Sequence, residues 1–317
     1  MSLELRPITR DDMAAVCDLL RASQRFDGVP QLVELEEMEE EFDDETVVLA
    51  TDTRLALRDQ QVVGYVYTVH LPSEVREERC FVFGTVHPEH RRQGVGTALM
   101  EWALERGREQ LLSSGRTLPR YLRTDEFDFI EPAFRLFERM GMQPVRYGEE
   151  LLRPLVALPP IPTVSGVTIV PWPEGRDEEI RQAKNTAFAD HWGSTPTPPG
   201  PWQHMVRGVT ARPDLSFIAL DDAGNVIGHC LNSRHPSEDE MLGRRDAWID
   251  SLGTLREWRG RGIASAFVVH SLHAFLAADC THASIGVDSE NPTGAARLYR
   301  ALGFELQHRR ITHQLEV

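Results

Sequence analysis

No uninterrupted apolar run in the 317-residue chain approaches the length of a membrane-spanning helix, so that class of membrane protein is excluded. The stretch from Met1 to Asp12 carries acidic side chains and no apolar segment, and no signal peptide is expected there. Cysteine is scarce: Cys17, Cys80, Cys230 and Cys280 are widely spaced and form no CxxC or other metal-ligand pattern. No metal and a reducing cytoplasm are the corresponding expectations. Basic residues are in the minority, 34 against 49 acidic, for a formal net charge of -15. That balance argues against non-specific nucleic-acid binding and adhesion to an anionic membrane. It would attract a cationic substrate, although solubility alone also explains it.

What is present describes a soluble folded protein, 41% hydrophobic and 26% charged. The length suits two domains. Leu151 to Gly166 contains four prolines in sixteen residues, a composition suited to an extended connector. The expected division is therefore a domain over 1–152, a linker over 153–165 and a second domain over 166–317. On both sides the same order of elements recurs. Leu3 to Ile8 and Val167 to Pro171 are short strands; a helix follows each, opened at Thr9 to Asp12 by a capping box and spanning Asp177 to Phe188 in the second copy. Hairpins come next, over Val47 to Leu57 with Val62 to Val69, and over Leu215 to Leu220 with Val226 to Cys230. Further strands, Cys80 to Val86 and Ala247 to Leu255, run into helices over Gly94 to Leu112 and Gly262 to Ala277. Glu34 to Glu45 holds nine acidic residues in twelve and reads as a solvated helix face.

The strand-to-helix junctions carry the chemistry. Arg91-Arg92-Gln93-Gly94-Val95-Gly96 and Arg259-Gly260-Arg261-Gly262-Ile263-Ala264 place small residues where a strand ends and a helix begins. Successive backbone N–H groups and the helix dipole can then approach a phosphate. One such turn is weak evidence; two in the same element order are not. The expected ligand carries a pyrophosphate.

These turns match the Q/R-x-x-G-x-G/A motif, and the chain resembles a tandem member of the GNAT N-acetyltransferase superfamily. The run Asn291-Pro292-Thr293-Gly294-Ala295-Ala296-Arg297-Leu298-Tyr299-Arg300-Ala301-Leu302-Gly303-Phe304 is similar to the superfamily's distal signature, with one extra residue after the asparagine. The resemblance covers nearly the whole chain. It implies an α/β (α+β) fold of two tandem domains, each a mixed, mostly antiparallel sheet flanked by helices. It also implies acetyl-coenzyme A as cofactor, with its pyrophosphate on the N–H groups of Gly94 to Thr97 or Gly262 to Ser265. The pantetheine arm would lie along Gly84 to Val86 or Leu252, Gly253 and Thr254, where a backbone N–H can polarise the acetyl carbonyl.

The two copies differ in their proton-transfer side chains. In this superfamily the acid that protonates the leaving thiolate is often a tyrosine of the distal helix, where Tyr299 stands; the first copy has Phe137. Phe129 stands where Asn291 does. Asp250, inside an apolar strand, is the expected base, and the same count places Val82 in the first copy. Asp288 and Glu290 are weaker candidates within a turn. His191 and Trp192, in a segment resembling mycothiol synthase-like tandem acetyltransferases, are expected at the acceptor pocket; that likeness carries no acceptor identity. The expected activity is acetyl transfer to the primary amine of a small molecule, from the second half. The alternatives are a non-catalytic acyl-coenzyme A sensor and an acetyltransferase for protein or peptide amines.

Overall fold

The computed structural model describes residues 3–291 and 294–317; Pro292 and Thr293 of the distal signature lie outside the described residues. The chain forms two compact units, residues 1–147 with 310–317, and residues 148–309.

Unit 1 begins with β1 (Glu4–Arg6), α1 (Met13–Asp27), α2 (Leu35–Asp43) and α3 (Leu49–Asp52). β2 (Thr53–Arg58), β3 (Gln61–Leu71), β4 (Glu78–Val86), α4 (Val95–Ser113), β5 (Arg120–Phe127), α5 (Glu131–Arg139) and the first residues of β6 (Gln143–Pro154) follow. The sheet is antiparallel through β1, β2, β3 and β4, parallel between β4 and β5, and antiparallel again where β5 meets residues 310–316. Apolar β-branched and aromatic residues alternate along β3, so each face buries its own layer. Val66, Leu99, Ala103, Leu122 and Phe137 pack together in one core, and Val16, Phe42, Leu55, Tyr65 and Tyr67 in another.

Unit 2 repeats the plan. β7 (Val167–Pro171), α6 (Asp177–Ala187), α7 (Pro199–Arg207), β8 (Phe217–Asp221), β9 (Val226–Arg234) and α8 (Asp239–Leu242) lead to β10 (Asp246–Thr254). Then come α9 (Ile263–Ala277), β11 (His282–Asp288), α10 (Ala295–Ala301) and β12 (Glu305–Glu316). β7 to β10 are antiparallel, β10 and β11 are parallel, and residues 148–154 of β6 pair antiparallel with β11.

Two sequence expectations need correction. The division expected at 153–165 falls instead at 147/148. Residues 148–154 are hydrogen-bonded into the unit 2 sheet, so the start of the proline-rich stretch is a strand, and the last eight residues return to unit 1. The strand expected from Val47 begins only at Thr53, because Asp52 accepts the Val48 N–H at 2.9 Å and closes a helical turn. The acidic segment forms α2, which buries Met38 and Phe42 and exposes most of its carboxylates. Among the described residues no helix is long and apolar enough to cross a membrane.

Candidate active site

The parallel strand pair in each unit opens into a cleft. β10 and β11 pair from Asp246 with His282 to Ile249 with Ile285 and no further, so Asp250 to Thr254 keep an open edge. β4 and β5 pair from Glu78 with Arg120 to Phe81 with Arg123 and then separate likewise. The resulting cavities measure about 490 Å³ in unit 2 and about 580 Å³ in unit 1.

Each cleft is headed by a glycine turn. Gly94 and Gly262 are the N-caps of α4 and α9, at φ 85° and 89°, a left-handed region that a side chain disfavours. Position two before differs: Gly260 sits at φ 77°, and its counterpart Arg92 at φ 60°. The first intrahelical bonds run from Ala98 to Gly94 and from Ala266 to Gly262, both at 3.0 Å, and no side chain caps either helix. The preceding N–H groups of Val95 to Thr97 and Ile263 to Ser265 are thereby left for a ligand. These donors fit the pyrophosphate of acetyl-coenzyme A.

Several side chains expected at the cofactor have partners within the protein. Arg91 grips the end of α1, at 2.6 and 2.7 Å from Asp27 and 2.7 Å from Ser23, and its Nε donates to Val86 O at 3.1 Å. Arg259 does the same in unit 2, bonding Asp190 at 2.7 Å, Ala187 O at 2.6 Å and Thr254 O at 3.2 Å. Both arginines line their clefts, but their guanidinium groups are spent on tying the strand end to a helix end. Arg261 stacks on Trp258, 4.4 Å from the ring centre, and Gln93 accepts from Arg58, so neither lines the cleft. Val95 buries its side chain in the core, which leaves only its N–H for the turn. In unit 1, Val86, Arg92, Gly94, Gly96 and Thr97 line the cavity; in unit 2, Leu252, Gly253, Thr254, Gly260, Gly262, Ile263, Ala264, Ser265 and Asn291 do.

The expected acid and base both line the unit 2 cleft. Between β9 and β10 the register shifts so that Ile249 faces Asn232 and Ser251 faces Leu231, which makes Asp250 the extra residue of a β-bulge. Water reaches the carboxylate through the open cleft, yet protein surrounds it closely enough that burial raises its pKa to about 6, opposed by Ser233 and His235. Tyr299 also lines the cleft; it is 6% exposed, its hydroxyl has no described partner, and burial pushes its pKa up. In unit 1 the β3–β4 ladder runs without a shift, Val82 is buried in the core, and Phe137 packs on His313 with ring centres 5.3 Å apart.

His191 joins the site through Asn291, whose Nδ2 lies 3.2 Å from His191 Nε2. His191 Nδ1 lies 3.4 Å from Trp192 O. Trp192 itself lies outside the lining and is 38% exposed. Asp288 lines the cleft and also shapes its turn, accepting the Glu290 N–H at 3.0 Å. Sequence reasoning missed His229, which is fully buried behind the open edge with Nε2 2.9 Å from Ser251 Oγ. Burial, aided by Lys184, lowers its pKa to about 3. A Cβ on Gly253 would come within 2.7 Å of the His229 ring and 2.8 Å of Phe188, so this strand position requires glycine.

The sequence model of the Acetyltransferase (GNAT) family matches residues 13–142 and 178–304. The chain belongs to this acetyltransferase family. Members of the GNAT family use acetyl-coenzyme A. Among curated relatives, the mycothiol acetyltransferase of Mycolicibacterium smegmatis is 26% identical over 308 residues, 94% of each chain. That of Thermomonospora curvata is 28% identical over 307 residues, covering 94% of this chain and 91% of the relative. A solved GCN5-related N-acetyltransferase from Sphaerobacter thermophilus superposes with a TM-score of 0.74 at 27% identity, over 99% of this chain and 95% of that one. A tandem GNAT protein from the clavulanic acid biosynthesis pathway shares the fold, with a TM-score of 0.73 at 19% identity over 99% and 98% of the two chains.

Proposed function

We propose that unit 2 transfers an acetyl group from acetyl-coenzyme A to the primary amine of a small molecule, by direct attack with both substrates bound. The observation that carries this reading is the bulge that brings Asp250 into the cleft lined by Tyr299. With a pKa of about 6, Asp250 is mostly ionised at neutral pH and still basic enough to take the proton of an ammonium group. Bound acetyl-coenzyme A supplies the thioester acetyl group. The N–H groups of Gly262 to Ser265 hold its pyrophosphate, and the open edge at Leu252 to Thr254 receives its arm. An N–H on that edge polarises the carbonyl. The Tyr299 phenol, which burial keeps protonated, gives its proton to the departing sulfur.

The relatives named mycothiol acetyltransferase support a small-molecule acceptor, and the net charge of -15 favours a cationic one. Unit 1 keeps the turn and the cleft without the acid and base, which suits an acyl-coenzyme A site of structural or regulatory use. Steady-state thiol release from acetyl-coenzyme A, measured across a panel of amino sugars and other small primary amines, tests this. Amine-dependent release is expected. Cofactor binding without release for any amine would overturn the reading in favour of a sensor.

A further inference from the structure

A hydroxyl and an imidazole stand at the open edge of β10, beside the acid and base assigned above. Ser251 lines the unit 2 cleft between Asp250 and Leu252 and is 7% exposed. Its Oγ lies 2.9 Å from His229 Nε2. Strand alternation turns the Cβ position of Gly253 to the same face, towards Ala187, Phe188 and the His229 ring. That ring is fully buried and packs on Phe188 with centres 6.0 Å apart.

Unit 1 carries neither group at the matching positions. The count that leads from Arg259 back to Ser251 leads from Arg91 to Phe83, and Tyr65 faces Thr85 as His229 faces Gly253. Phe83 packs on Tyr67 with ring centres 5.3 Å apart. The serine–histidine pair is therefore present in the unit that has Asp250 and Tyr299, and is replaced by aromatic rings in the unit that lacks them.

The pair is not arranged as a nucleophile with its base. Burial lowers the His229 pKa to about 3, and no described group bonds its Nδ1, so no carboxylate orients the ring or raises its basicity. Near neutral pH the imidazole is uncharged and carries one proton. On Nδ1 that proton would be a buried donor without an acceptor; on Nε2 it is donated to Ser251 Oγ. The Ser251 hydroxyl then keeps its own proton to donate into the cleft.

We propose that Ser251 donates a hydrogen bond to the acetyl carbonyl oxygen of acetyl-coenzyme A, beside the backbone N–H of the same strand edge, with His229 as its positioning residue. Negative charge grows on that oxygen as the amine attacks, and a donor held in place beforehand stabilises it. The inference rests on the reading of unit 2 as the transferring domain.

Two spectra test it without turnover. In ¹⁵N NMR of the histidine-labelled chain, with the His229 signal assigned by its loss in His229→Gln, the ring proton should be on Nε2. Infrared spectra of carbonyl-¹³C acetyl-coenzyme A, bound without an amine, should show the carbonyl band at lower wavenumber in the unmutated chain than in Ser251→Ala; subtracting one from the other cancels any cofactor held by unit 1. In amine-dependent thiol release, Ser251→Ala should lower kcat about 10²-fold and leave the KM for acetyl-coenzyme A unchanged. His229→Leu should approach that loss, and His229→Gln, whose amide can donate as Nε2 does, should recover part of it. If no amine supports release, the reading of unit 2 falls and the two spectra alone decide the hydrogen bond. A proton on Nδ1, a carbonyl band that does not move in Ser251→Ala, or a loss confined to KM would overturn the assignment.

Discussion

Units 1 and 2 share a cradle and differ in what lies beneath it. In both, a left-handed glycine caps a long helix, an arginine ties the strand end to a helix-end aspartate, and a parallel strand pair opens after four residue pairs. The backbone features that fit a pyrophosphate are therefore duplicated. Below the turn, unit 2 has a bulge that displays Asp250 and a phenol at Tyr299, where unit 1 has a regular ladder with Val82 in the core and a packed Phe137. Cofactor recognition is built from backbone and proton transfer from side chains, so a duplicated domain can lose the second and keep the first.

The sharpest way to break this comparison is Asp250→Asn. Loss of a general base costs about 10²- to 10⁴-fold in turnover. In the unmutated protein kcat/KM should fall as pH drops below about 6, because Asp250 is protonated there, and that limb should vanish in the variant. Stability should move the other way. A carboxylate whose folded pKa is raised contributes stability at low pH that is lost as pH rises through about 6. Because the open cleft exposes Asp250 to water, that contribution is screened, and Asp250→Asn should raise Tm at pH 7 only slightly, read by calorimetry.

Next in size are the cap glycines. Alanine at Gly262 forces a left-handed φ on a residue with a Cβ, at roughly 1–2 kcal/mol, and should raise the KM for acetyl-coenzyme A about tenfold. The same change at Gly94 has the same local cost, and turnover by unit 2 should be unaltered. An equal loss from both would remove the functional asymmetry.

A smaller effect concerns His229. Its pKa is lowered on folding, so the stability it contributes is present above its ordinary value near 6.5 and is lost as pH falls towards 3. His229→Gln should flatten the acid side of the Tm-against-pH curve below about pH 6.5; an unchanged curve would show that His229 is not the titrating group.

The element order, both turns and the pairing of Tyr299 against Phe137 were legible because each is local. A glycine between a β-branched run and a helical period marks a cap, and a motif counted along one helix keeps its register. The exchange of end strands was not legible, because proline content describes residues 151–166 and says nothing of which sheet edge awaits residues 148–154. Asp250 could be named as an acid in an apolar strand, but the bulge that aims it depends on pairing with Asn232 and Leu231. Arg91 and Arg259 line the clefts at the expected positions, but their pairing with Asp27 and Asp190 was not legible because those carboxylates lie 64 and 69 residues away in sequence.

The most direct test of the division between the units is the reciprocal pair Tyr299→Phe and Phe137→Tyr, assayed for amine-dependent thiol release under saturating acetyl-coenzyme A. The account requires kcat to fall about 10²-fold in Tyr299→Phe, as for loss of a general acid, and to stay unchanged in Phe137→Tyr. Unmutated turnover in Tyr299→Phe would contradict it.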